Sequence, residues 1–168
     1  YTEERTDRML FSDGPMGVEK YYLYANFSND DISSADFQTL NGKRIGVLIG
    51  AKPEAMLTEW ELKNELKTIH VNIESNEDVL TKLENGEIDC FVSLEESFWA
   101  DKDVSTITRI GKSNIYFVIN NDHPEIKKEL ELAMHQLEED RPFYLSDLYK
   151  QYFSSDYTPV LSSEEKSW

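Results

Sequence analysis

The stretch that most restricts the fold is Lys43-Arg44-Ile45-Gly46-Val47-Leu48-Ile49-Gly50, a nearly continuous apolar run that feeds directly into a helical pattern. Such a run predicts a strand over residues 43 to 50 buried on both faces of a parallel sheet. Pro53 suits the first turn of the next helix, where its missing N–H costs little, and Met56, Leu57 and Trp60 supply part of an apolar face. Ile69, Val71 and Ile73 then alternate with His70, Asn72 and Glu74, the period of two of a strand. Ser75 stands as an N-cap with Asp78 three residues on, and Val79, Leu80 and Leu83 mark a short helix ending near Gly86. Asp89 to Leu94 forms a third strand. The order β-α-β-α-β predicts an α/β lobe with a mainly parallel sheet flanked by helices. Two more strands, Tyr21 to Phe27 and Asn114 to Asn120, flank that lobe. The tail is helical: Ile126, Leu130, Ala133, Met134 and Leu137 share one face, as do Leu145, Leu148, Tyr149 and Tyr152 after Pro142.

The 168 residues, 39% of them hydrophobic, suffice for one ordinary core or for two small lobes sharing a hinge. A net charge of −16 repels the phosphate backbone and anionic membrane surfaces, which argues against nucleic acid as a partner. No apolar run approaches the roughly 20 residues that span a bilayer, so no direct membrane insertion by this chain is expected. The start at Tyr1 and the end at Trp168 after a charged stretch suggest an excised piece of a longer protein. The single Cys90 excludes an internal disulfide framework and a multi-cysteine zinc site, and no cofactor is expected.

The turn after the first strand fails the P-loop pattern, because Gly46 and Gly50 are too close and Ala51 precedes Lys52, and it fails GxGxxG as well. What survives is general: a strand end leading into a helix N-terminus exposes N–H groups that attract anions, and Lys52 adds a positive charge. The plain alternative is an ordinary connection with a solvated lysine. His70, His123 and His135 share no metal-ligand spacing. Glu95-Glu96 and Glu138-Glu139-Asp140 read as solvated acidic faces, and Cys90 as a small hydrophobe in a buried strand. No nucleophile, base and orienting group assemble from spacing, so a non-catalytic protein is expected.

Thr2-Glu3-Glu4-Arg5, Phe11-Ser12-Asp13-Gly14-Pro15, Leu40-Asn41-Gly42-Lys43-Arg44-Ile45-Gly46-Val47 with Gly50, and Gly86-Glu87-Ile88-Asp89 resemble, in order, the motifs of the type II periplasmic solute-binding proteins. The match is to the family-3, amino-acid-type branch. The resemblance implies a two-lobed clamp that closes around a small-molecule ligand. It divides the chain into 1–21 (first-lobe remnant and hinge entry), 22–117 (second lobe), 118–154 (hinge exit and C-terminal helices of a partly missing first lobe) and 155–168 (linker toward a following module). By position it implies ligand contacts at Gly50, Ala51, Lys52, Ser75, Asn76, Leu94 and Glu95. The sequence departs from the amino-acid binders where Ala51 replaces a carboxylate-holding Thr and Leu94 replaces an acidic residue that pairs with the ligand amine. An anion site at Gly50, Ala51 and Lys52 remains.

Leu161-Ser162-Ser163-Glu164-Glu165-Lys166-Ser167-Trp168 resembles the segment that opens a further binding module in tandem bacterial sensor proteins. The expectation that follows is an extracytoplasmic ligand-sensing domain of a signalling receptor such as a histidine kinase or diguanylate cyclase, tethered through a membrane segment elsewhere. Its partner would be a small amino-acid-like molecule, another small anion or a neighbouring module. The alternatives are a solute-binding component of an ABC uptake transporter and a dehydratase-like enzyme on the same scaffold.

Overall fold

The structure, a computed structural model, describes residues 9–94 and 97–153. In chain order its strands are β1 (Met9–Phe11), β2 (Gly17–Asn26), β3 (Arg44–Val47), β4 (Ile69–Asn72), β5 (Cys90–Leu94), β6 (Val104–Ile115) and β7 (Val118–Asn120). Its helices are α1 (Lys52–Lys63), α2 (Asn76–Glu84), α3 (Pro124–Asp140) and α4 (Tyr144–Phe153). The chain divides into two units, one of Val18–Ile115 and one of Tyr1–Gly17 with Tyr116–Trp168.

The Val18–Ile115 unit is a five-stranded sheet in the order β4-β3-β5-β2-β6. β3 runs parallel to both β4 and β5, while β2 is antiparallel to β5, so the sheet is mixed rather than uniformly parallel. Alternation along each strand sends side chains to opposite faces. Tyr21, Leu23 and Ala25 of β2, Ile45 and Val47 of β3, and Cys90 and Val92 of β5 join Leu57 and Trp60 of α1 on one face. Tyr24, Phe91 and Ile73 join Val79 of α2 and Trp99 on the other. Phe91, fully buried, stacks on Tyr24 at 5.3 Å between ring centroids and lies 4.5 Å from the Trp99 ring. Gly46 faces this second cluster, where a Cβ would stand 2.9 Å from both Ile73 Cγ2 and Ile88 Cδ1. Cys90 has 0% exposure, and burial pushes its thiol up to about 12. It is a core residue and not a nucleophile.

Two expectations are corrected here. The apolar run does not continue as strand to Gly50: β3 ends at Val47, and Leu48 and Ile49 are 46% and 48% exposed. The Ile49 N–H leaves the ladder to donate to Asn72 Oδ1 at 3.1 Å, which begins the turn early. The expected strand from Asn114 to Asn120 is split at Tyr116 and Phe117, where β6 ends and the second unit begins. β6 itself, 12 residues long, was not anticipated.

The Gly86-Glu87-Ile88-Asp89 motif has a structural role. Gly86 takes a φ of +66° just past α2, Ile88 is buried, and Asp89 binds Arg44 through Nε at 3.0 Å and Nη2 at 2.7 Å while also accepting the Arg44 backbone N–H at 2.8 Å. The Arg44 hydrogen bonds hold the Asp89 carboxyl below its ordinary range. A depressed carboxyl stabilises the fold above its unfolded value near pH 4 and loses that contribution as pH falls through the folded value. Asp89→Asn is therefore expected to lower the urea midpoint at pH 7, by about 2 kcal/mol in stability. The gap to wild type should narrow as the pH drops below about 4; a gap independent of pH would contradict the assignment.

In the other unit, β1 and β7 form an antiparallel pair with Leu10 opposite Ile119. Ser12, 4% exposed, closes it: its N–H donates to the Phe117 carbonyl and its Oγ accepts the Phe117 N–H, both at 3.1 Å. Asp13 anchors α3, its carboxylate on Lys127 Nζ at 2.6 Å and its N–H on Glu131 Oε1 at 2.7 Å. On α3, Leu130, Met134 and Leu137 are half-buried and Ile126 is 48% exposed.

Candidate functional site

Because β4, β3 and β5 lie side by side and parallel, the turns after them emerge along one edge of the sheet. β3 is the first of these three strands and the other two come later on opposite sides of it, so the chain reverses its direction of winding at β3. In open α/β sheets the carboxyl edge beside such a reversal is where ligands bind. Gly50-Ala51-Lys52, Ser75-Asn76 and Leu94 all stand on this edge. Glu95 lies outside the described residues.

The turn after β3 is built by three backbone choices. Gly50 adopts φ +76°, a left-handed conformation that side chains resist. Ala51 is the N-cap of α1 at φ −115° and ψ 173°, with no side-chain cap bond because it carries no hydroxyl. Glu54, at the third helical position, compensates by reaching back, its Oε2 accepting the Gly50 N–H at 2.8 Å. That bond, then a contact with His70, holds the Glu54 carboxyl below its ordinary range. The Ala51 and Lys52 N–H groups make no hydrogen bond among the described residues, and they remain for an anion.

Lys52 is the first residue of α1, where a cation opposes the helix dipole. Its Nζ donates to Ser113 Oγ at 2.5 Å; Ser113 is 8% exposed, near the end of β6. Next along the edge, Ser75 caps α2 as expected, its Oγ accepting the Asp78 N–H at 3.1 Å. The Leu94 carbonyl accepts the Tyr24 hydroxyl at 3.3 Å. The exposed side chains of Leu48 and Ile49 add apolar surface beside the turn.

Sequence reasoning missed four residues that shape this turn. Ser113 was hidden because the strand carrying it was not recognised. Glu54 was legible in principle, as an acidic residue three positions after a helix start. Half-buried His70 and buried Glu61 form a pair behind Glu54: His70 Nδ1 lies 3.3 Å from Glu54 Oε1, and Nε2 lies 3.1 Å from Glu61 Oε2. His123 and His135 belong to the other unit, beside Glu125 and Glu139 on or next to α3. Among the described residues no group of three or more His, Cys, Asp or Glu is arranged to hold a metal ion.

Two grooves of the same unit lie elsewhere. One, of about 450 Å³, is lined by residues that include Asn26, Asp30, Leu83 and Asp89, and the other, of about 240 Å³, lies between Trp60 of α1 and Ile110 of β6. Neither contains a residue of the carboxyl edge.

No protein-family model matches the chain, and no curated protein matches it. Solved structures do. The probable amino-acid ABC transporter extracellular-binding protein of Bacillus subtilis superposes with a TM-score of 0.77 at 18% identity, over 94% of this chain and 69% of its own. An amino acid ABC transporter substrate-binding protein of Streptococcus pneumoniae, bound to L-arginine, gives 0.64 at 21% identity, over 92% of this chain and 65% of its own. An ancestral amino acid-binding protein, a precursor of cyclohexadienyl dehydratase, gives 0.65 at 21% identity with coverage of 92% and 66%. The chain thus spans about two thirds of the length of each, and it has the fold of the type II periplasmic binding proteins.

Proposed function

We propose that this type II periplasmic-binding fold serves as a non-catalytic, extracytoplasmic solute-binding module that takes a small carboxylate-bearing molecule at the carboxyl edge of β3. One observation carries the reading: a lysine occupies the first position of α1, against the helix dipole, beside N–H groups with no partner among the described residues. The helix dipole does not explain a cation there, and residues that break a local rule mark functional sites. An anion brought to the turn would meet the Lys52 ammonium and the helix N-terminus together.

The ligand class follows from what stands around that charge. Leu94 offers only apolar surface and a carbonyl already bonded to Tyr24, and Leu48 and Ile49 extend the apolar surface. Leu94 presents no carboxylate to an α-ammonium, and the Glu54 carboxylate of the turn is engaged by the Gly50 N–H and His70. An anion with an apolar body fits better than a zwitterion.

The transporter reading has the support of neighbours whose names include ABC transporter binding proteins. The sensor reading rests chiefly on residues 161–168, which lie outside the described residues, together with the family resemblance itself. Calorimetric titration with L-amino acids and with matched acids carrying hydrogen, hydroxyl or oxo in place of the ammonium tests the proposal. The matched acids are expected to bind at least about tenfold more tightly, the worth of one buried polar group left unpaired. Tight binding of an ordinary amino acid would overturn the ligand class, and silence across both panels would overturn solute binding.

A further inference from the structure

Both ring nitrogens of His70 face carboxylates. Nδ1 is 3.3 Å from Glu54 Oε1, and Nε2 is 3.2 Å and 3.1 Å from the two oxygens of Glu61. A neutral imidazole has one N–H and satisfies one of these partners; an imidazolium donates to both. Glu61 is 8% exposed and also accepts the Thr68 hydroxyl, so it is the fixed end of the set. Glu54 is the adjustable end, because its second oxygen holds the Gly50 N–H at 2.8 Å. The contacts run unbroken from Thr68 through Glu61, His70 and Glu54 to the turn.

The charges around His70 are accounted for. α1 presents Glu54 and Glu61. β3 presents Ile45 in register with His70, and the charged residue of that strand, Arg44, is bound to Asp89. β4 is the edge of the sheet, so among the described residues no strand lies on its other side.

We propose that His70 is a proton-controlled positioning residue for the Gly50–Lys52 turn. Protonated, it bridges Glu61 to Glu54 and keeps the Glu54 carboxylate on the Gly50 N–H. When the proton passes to water, one nitrogen is left with its lone pair against a carboxylate. Glu54 gives way, since its side chain is 27% exposed against 10% for Glu61 and is the easier to hydrate. The turn then loses its brace. The consequence for a ligand rests on the solute-binding reading; the relay itself does not.

The test is heteronuclear NMR of the intact chain between about pH 5 and 8, the range in which histidine changes charge, following the Gly50 amide and the three histidine rings. The Gly50 amide is expected to shift with the midpoint of His70 and not with that of His123 or His135. In Glu54→Gln the Gly50 step should vanish while His70 still titrates, and in His70→Gln it should vanish with the core methyl spectrum preserved. A Gly50 amide that ignores the His70 step, or follows it unchanged in Glu54→Gln, would overturn the proposal. A shared midpoint alongside silent ligand panels would sustain the relay and count against solute binding, so the two failures are separable.

Discussion

Gly46→Val is expected to cost at least about 3 kcal/mol, with thermal unfolding lowered by roughly 6–12 °C for a chain of this size. The first added carbon alone would stand 2.9 Å from Ile73 Cγ2 and Ile88 Cδ1 and 3.3 Å from Phe91 Cβ. Ile73 is 8% exposed, Ile88 2% and Phe91 0%, so none has free volume to retreat into. Gly111 provides the control. A Cβ there also meets an atom at 2.9 Å, but that atom is the thioether sulfur of Met56, on a half-buried and flexible side chain that can swing aside. Gly111→Ala should therefore cost less than about 1 kcal/mol. Urea denaturation of both variants checks the contrast, and equal losses would contradict the packing argument.

The second large effect is expected at Lys52. Once a carboxylate ligand is identified, Lys52→Ala should weaken it by about 10- to 100-fold, the loss of one charge-assisted contact, and Lys52→Glu should weaken it further by placing like charges together. The helix α1 itself should not be weakened, since a cation at its first position does not favour it, and the fold loses only the hydrogen bond to Ser113. Ser113→Ala separates positioning from charge. It removes the hydroxyl that holds Nζ at 2.5 Å but leaves the ammonium, so binding should change less than in Lys52→Ala. Unchanged affinity in Lys52→Ala, measured by calorimetry, would return the turn to the role of a connector.

What the sequence disclosed follows the range of the interactions involved. Ser75 was readable as a cap because its partner, Asp78, is three residues away, and the glycine past α2 was readable because a positive φ favours one residue type. The β-α-β-α-β order was visible because each element carries its own hydrophobic period. Leu48 and Ile49 deceived because their apolarity looks like strand, while the tertiary partner that ends the strand, Asn72, lies 23 residues on. Val104 to Ile110 was rich in β-branched residues, yet the strand there went unrecognised, and with it Ser113, 61 residues from Lys52. Glu54, His70 and Glu61 form a set only when α1 lies over β4, so spacing alone could not assemble them. Function was less legible than fold, since Ala51 and Leu94 say what the candidate site lacks, while the geometry of Lys52 says what it would offer.

Cys90 has a practical consequence. The one thiol of the chain is sealed in the sheet core with its pKa near 12, so thiol-directed probes will pass it by in the folded protein. A cysteine introduced at an exposed position such as Glu59 or Lys128 would be the sole reactive thiol, and a pair placed one in each unit would accept spin or fluorescent labels without background. Distances between the two units, and any change a ligand makes to them, are thus open to direct measurement without first removing a native residue.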